Sequence, residues 1–258
     1  MRRRTLTFLL LGLGFMLILS GCTSITNAPP VGPDSTSFWD KYLVWPLSWL
    51  IKESATLLGS YGLGILVATV IIRLIILPLM IKQIKSSKKM QELQPELQKI
   101  REKHKNDPQK AQQETVLLFQ KNNVNPLAGC LPLLVQMPIL IAFYHAIIRT
   151  PEIFKSTFIG IQLGLHPSEI GWYGYILPVL AAFTTYLQQK MMGAVTPNNP
   201  QMQMFMIMMP LMILAIGVTL PAALSLYWFY GNLFTIVQTY FLYRNKDTQL
   251  RPKEGTAK

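Results

Sequence analysis

Five long apolar runs constrain this chain of 258 residues more than any other feature. They cover about Tyr61–Ile81, Leu127–Ile148, Trp172–Gln189, Phe205–Leu220 and Ala222–Tyr243. Each approaches the ~20 residues that a helix needs to cross the hydrocarbon core of a bilayer. The fourth and fifth are separated only by a turn around Pro221. Internal prolines at 78, 132, 138, 178 and 210 are tolerated in membrane helices and kink them. Half of the chain is hydrophobic and only 14% is charged, against about 25% in a soluble domain. The expectation is an all-α integral membrane protein with five transmembrane helices.

The ends of the chain read differently. Arg2-Arg3-Arg4 and the apolar Leu6 to Leu19 form a signal peptide, and Leu19-Ser20-Gly21-Cys22 matches a bacterial lipobox. Residues 1–21 are therefore expected to be removed and Cys22 to carry a lipid, such as a palmitate-bearing diacylglyceryl group. Residues 22–60 form an extracytoplasmic segment. Within it Phe38 to Gly59 places Trp39, Tyr42, Trp45 and Trp49 near helical spacing, as in a helix lying at the headgroup level. Residues 61–243 form the membrane core, and 244–258 a short basic tail.

Charge orients the chain. Ten Lys/Arg lie between Lys82 and Pro126, one (Lys190) in the next loop on that side, and five in the tail; the opposite side has Lys41, Lys52, Arg149 and Lys155. This bias puts the long loop and the C-terminus in the cytoplasm and the mature N-terminus outside, in the plasma membrane of a bacterium. The net charge of +12 then reads as attraction to anionic lipids rather than nucleic-acid binding. In residues 83–124, Met90, Leu93, Leu97 and Ile100 form an apolar seam. Asn106-Asp107-Pro108 marks a turn before a second helix from Ala111 to Lys121, giving a cytoplasmic helical hairpin with a kink expected at Pro95.

Arg73 stands in the middle of the first run, and none of the five runs contains Asp or Glu. A guanidinium does not shed its charge, and at mid-helix it costs at least about 2.5 kcal/mol. It must meet water, polar side chains or a carboxylate brought by another molecule. Gln136 falls near its depth, Gln188, Gln189 and Gln238 lie toward the cytoplasmic ends of their runs, and Thr69 and Thr185 add hydroxyls. This clustering favours a wet cavity open to the cytoplasm under an apolar outer half. Eight of 13 methionines lie between Met191 and Met212, suited to varied apolar partners or to ordinary lipid-facing packing.

Three segments carry a resemblance. Ile72-Arg73-Leu74 with Leu77-Pro78, Asn125-Pro126-Leu127-Ala128-Gly129-Cys130-Leu131-Pro132 with Gln136-Met137-Pro138, and Pro221-Ala222-Ala223-Leu224-Ser225-Leu226-Tyr227-Trp228 with Asn232-Leu233 make the chain similar to YidC/Oxa/Alb membrane-protein insertases, in the lipoprotein form of Gram-positive bacteria. The resemblance implies a hydrophilic groove enclosed by five helices, in which Arg73 attracts acidic residues of a client's translocated tail. It places Gln136 and Trp228 at the groove, with Gln188, Gln189, Tyr227 and Gln238 assigned mainly by depth. The implied partners are nascent membrane proteins with short acidic tails, the Sec translocon, the SRP pathway and the ribosome. The short tail departs from relatives with long ribosome-binding tails.

Two other classes compete. A small anionic-solute transporter would also place an Arg at mid-membrane, but no internal repeat of the kind common in transporters is visible. An enzyme is not expected, because no His/Asp or Ser/Lys set shares a membrane depth. Two cysteines (Cys22, Cys130) and three histidines (His104, His145, His166) offer no metal centre, and no cofactor is expected.

Overall fold

The computed structural model describes residues 29–124, 131–191 and 200–247. The signal peptide, Cys22, the stretch from Asn125 to Cys130 and most of the basic tail lie outside the described residues. The described chain is almost entirely helical. A π-helical turn, Asp40–Val44, leads into α1 (Trp45–Leu58), followed by α2 (Tyr61–Glu92), α3 (Gln94–Lys103), α4 (Pro108–Lys121), α5 (Leu131–Ile148), α6 (Ile176–Met191), α7 (Pro200–Thr219) and α8 (Ala222–Asp247).

Several boundaries differ from those read in the sequence, for local reasons. α2 does not stop near Ile81 but runs on to Glu92, since Lys82 to Glu92 offers no breaker. Its end comes at Leu93, and Pro95 then sits in the first turn of α3, where a missing N–H costs nothing. Pro95 therefore starts a helix instead of kinking one. The third apolar run opens with a 3₁₀ turn, Trp172–Tyr175, and only then becomes α6. Among the described residues one helix, through its segment Tyr61–Ile84, is long and apolar enough to cross a bilayer by length and composition; Leu134–Ile148 and Met206–Thr219 are shorter apolar stretches.

α1 ends at Gly59, whose φ of 72° is the left-handed conformation that closes a helix at low cost. The chain then reverses and α2 packs against α1. At Gly64 a Cβ would lie 2.5 Å from the carbonyl oxygen of Ile51, so glycine is what lets the two backbones meet. Buried Val44, Leu47, Ile51, Ile65, Ala68, Phe143, Ala146 and Ile147 join Leu163 and Ala222 to Leu224 in one apolar core at this end of the molecule. A two-stranded ribbon closes it: β1 (Thr157–Phe158) pairs antiparallel with β2 (Ile161–Gln162). Beyond the ribbon, the carbonyls of Leu165 and Leu163 accept the N–H groups of Ala222 and Ala223, satisfying donors that a helix start leaves free.

α8 is the central helix, in contact with α2, α5, α6 and α7, while α3 and α4 pack on one another beyond the end of α2. The outside of the bundle is apolar. Val179 and Phe183 on α6, Ile207 and Leu211 on α7, and Val237 and Phe241 on α8 are each more than half exposed, in pairs four residues apart. Its inside holds Thr69, Thr184, Thr185, Ser225, Asn232, Thr235 and Thr239, all buried. A surface of this kind is made for lipid rather than water.

Two ion pairs fix α1 to the segment after α5. Arg149 donates to both carboxylate oxygens of Asp40, at 2.7 and 2.9 Å, and through Nε to the carbonyl of Pro29 at 3.0 Å. Both side chains are largely buried. Lys52 and Glu152 pair at 2.6 Å but remain nearly half exposed. The hydrogen bond from Lys52 holds the Glu152 carboxyl below its usual range, so this pair contributes at neutral pH and is lost as pH falls. Asp40→Ala strands a buried guanidinium and is expected to cost about 3 kcal/mol. Lys52→Ala should cost below about 1 kcal/mol. Thermal unfolding in detergent compares the two, and equal midpoints would sink the distinction.

Candidate functional site

Arg73 lies where α2, α5 and α8 meet, and it is half-buried. Its Nη2 donates to Oε1 of Gln136 on α5 at 3.4 Å. The Nε2 of Gln136 donates in turn to the hydroxyl of Tyr227 on α8. The polarity of this relay is fixed by chemistry: a guanidinium has only donors, so the amide oxygen must face it and the amide N–H₂ must face the phenol. Tyr227 is 2% exposed, and its ring stacks on Phe143 with centroids 4.0 Å apart. The relay therefore stands on the apolar core as on a floor.

Space for the guanidinium comes from Gly231. A Cβ there would lie 2.6 Å from Nη2 of Arg73, so any other residue displaces the charged head. Glycine within a helix costs about 1 kcal/mol relative to alanine, and here that cost opens room for Arg73. One position further, Nδ2 of Asn232 donates to the Thr185 hydroxyl (2.8 Å), the Thr184 hydroxyl (3.0 Å) and the Ala181 carbonyl (3.1 Å). This contact locks α8 to α6 at the depth of Arg73.

Of the seven groove residues expected from the sequence, the structure joins Arg73, Gln136 and Tyr227 directly. Trp228 is half-buried and stands one turn before Gly231 on α8. Gln188, Gln189 and Gln238 are not part of this relay. Gln238 lies seven residues beyond Gly231, about 10 Å along the helix axis, and Gln188 and Gln189 follow Thr184 and Thr185 by about one turn. Gly231 and the bracing role of Asn232 were not inferred from the sequence. A glycine inside the apolar run Tyr227 to Tyr243, beside an asparagine, is the signal that marks them. Among the described residues no carboxylate comes within ion-pair distance of Arg73, and no His/Cys/Asp/Glu group suits a metal ion.

The lipid-facing exterior and the polar relay inside it define a helical membrane protein. The family profile described as 60Kd inner membrane protein matches residues 53–249. The chain is 51% identical over 261 residues to membrane protein insertase MisCA of Bacillus subtilis (strain 168), covering 99% of this chain and 97% of that one. It is 52% identical over 246 residues to membrane protein insertase YidC 2 of Bacillus anthracis, covering 93% and 94%. Among solved structures, an active YidC insertase crystal structure with the first transmembrane domain resolved superposes with a TM-score of 0.63 at 29% identity. That match covers 80% of this chain and 47% of the other. The chain belongs to the 60Kd inner membrane protein family, the YidC/Oxa/Alb family of membrane-protein insertases.

Tyr227→Phe leaves the part-buried amide N–H₂ of Gln136 without its acceptor, an expected loss of about 1 kcal/mol. A lowered thermal midpoint in detergent checks it; an unchanged midpoint means the relay contributes nothing to the fold.

Proposed function

We propose that this chain inserts nascent membrane proteins through a cytoplasm-open groove whose charged station is Arg73. The observation that carries the reading is a permanent cation inside an apolar bundle, bound among the described residues only to a neutral amide at the long end of hydrogen-bond range. Such a cation is available to a carboxylate that arrives from outside the chain. A client with a short acidic N-terminal tail enters from the cytoplasm, and Arg73 pairs with the carboxylate and lowers the cost of desolvating it. The client's hydrophobic segment then moves past the helices into lipid. Burial of apolar surface, about 25 cal/mol per Å², supplies the driving force, and no covalent chemistry is involved.

The same reading gives five membrane-spanning helices, of which α2, α5, α6, α7 and α8 are the candidates, with the mature N-terminus outside and lipid-anchored at Cys22. The basic α3–α4 pair then lies in the cytoplasm against anionic headgroups, where the ribosome, the SRP pathway and the Sec translocon would deliver clients. Gln136 and Tyr227 hold the guanidinium in place, Gly231 makes room for it and Trp228 shapes the adjoining wall.

The test is insertion of a reporter with an acidic N-tail in cells depleted of their own insertase. Wild type and Arg73→Lys are expected to support it, Arg73→Ala weakly, and Arg73→Glu not at all, each at equal membrane abundance. Normal insertion by Arg73→Glu would remove the electrostatic step.

A further inference from the structure

The bundle holds buried polar groups that Arg73 does not use. Gln83 on α2 is 5% exposed, and neither its Oε1 nor its Nε2 has a hydrogen-bond partner among the described residues. The same holds for Oε1 of Gln189 on α6 and for Nε2 of Gln238 and Oγ1 of Thr239 on α8. Buried polar atoms are otherwise almost always paired, so each orphan implies a partner supplied from elsewhere.

These groups lie on one side of Arg73, at staggered heights along their helices. Gly231 faces Arg73 and Asn232 faces Thr184 and Thr185. Gln238 and Thr239 follow those two residues by seven each, two helical turns on the same faces of α8, about 10 Å further from the apolar core. Gln189 follows Thr185 by four, on the face of α6 turned to α8. Gln83 follows Arg73 by ten, about 15 Å along α2, between buried Met80 and Ile84. Three helices, of which α8 packs on the other two, thus carry neutral, unpaired donors and acceptors in a ladder about 6 to 15 Å beyond the level of Arg73, on its side away from the closed end.

The chemistry of the ladder differs from that of Arg73. A glutamine amide offers one acceptor and two donors and no charge, the same complement as a peptide group. It therefore satisfies backbone N–H and C=O groups whatever the side chains are. We propose that Gln83, Gln189, Gln238 and Thr239 form a second binding station that takes the unpaired main-chain amides of an extended client segment. This rests on the insertase reading above and adds a division of labour: Arg73 reads tail charge, and the glutamine ladder holds peptide backbone irrespective of charge. Main-chain groups entering hydrocarbon unpaired are costly for every client, so a neutral station serves those whose tails lack an acid.

Two measurements test this. In the first, two clients share one hydrophobic segment and carry either an Asp-containing tail or its Asn equivalent. The double variant Gln83→Leu, Gln238→Leu, at wild-type membrane abundance, is expected to slow insertion of both clients by a similar factor of at least five. Arg73→Ala should slow only the acidic one. In the second, Gln83→Cys in a Cys130→Ser background is oxidised with a stalled client carrying one cysteine in its tail. A disulfide is expected there and not at Leu74→Cys, whose side chain faces outward on the same helix. This second measurement decides the matter even if the double variant fails to accumulate. Loss confined to the acidic client, unimpaired insertion of both, or no crosslink at position 83 would overturn the proposal. A client pair indifferent to Arg73 but sensitive to the double variant would instead sink the electrostatic step and keep the ladder.

Discussion

An arginine that cannot lose its charge, set among apolar helices without a carboxylate, governs the rest of this molecule. Desolvating a guanidinium is so unfavourable that the helices around it must supply dipoles, room and access to water. The dipoles and the room are visible in named residues. Gln136 turns its oxygen to the cation, Tyr227 fixes that amide from behind, and Gly231 vacates the volume that the head occupies. Asn232 then ties the helix bearing Gly231 to α6 through three acceptors, so that the vacancy is held open rather than collapsed.

The same chain shows what a fully neutralised arginine looks like. Arg149, at the closed end, is forked onto Asp40 and capped by the carbonyl of Pro29. Three of its five N–H donors are engaged, two of them by a carboxylate, and it joins two segments that lie far apart in sequence. Among the described residues Arg73 has a single neutral acceptor, at 3.4 Å. Among the described residues an arginine is paired with a carboxylate at Arg149 and not at Arg73. A paired guanidinium serves architecture, whereas an unpaired one keeps its affinity for a carboxylate that comes from elsewhere.

How far this was legible depended on the range of the interaction. Apolar runs and the lone mid-helix charge are local, so the helices and Arg73 could be read directly, as could the depth of Gln136. Tyr227 could be named by its family position and depth, but its hydroxyl could not be paired with Gln136 from a sequence in which the two lie 91 residues apart. Asp40 lies within the stretch read as an interfacial helix, and Arg149 counts in the sequence only as a charge on the outer side. Their pairing depends on how α1 folds back on the bundle, which Gly59 and Gly64 decide. Pro95 was misread because the pattern Met90, Leu93, Leu97, Ile100 keeps its period across the break at Leu93, so a seam of side chains hid the join between two helices.

The energetic logic of the site runs against tight binding. An insertase must release what it attracts, and the depth of any electrostatic trap adds directly to the barrier for leaving. A carboxylate placed beside Arg73 within the chain would remove the attraction, and a second arginine would deepen the trap. A single cation, softened by one amide at the weak end of hydrogen-bond geometry, lies between these limits. On the proposed mechanism the closed apolar end would block onward movement, while the exterior lined by Phe183, Leu211 and Phe241 would offer a hydrophobic client the same solvent as lipid does. The lateral path into the bilayer is then downhill in apolar burial, and the charge needs only to hold the tail long enough for that path to be taken.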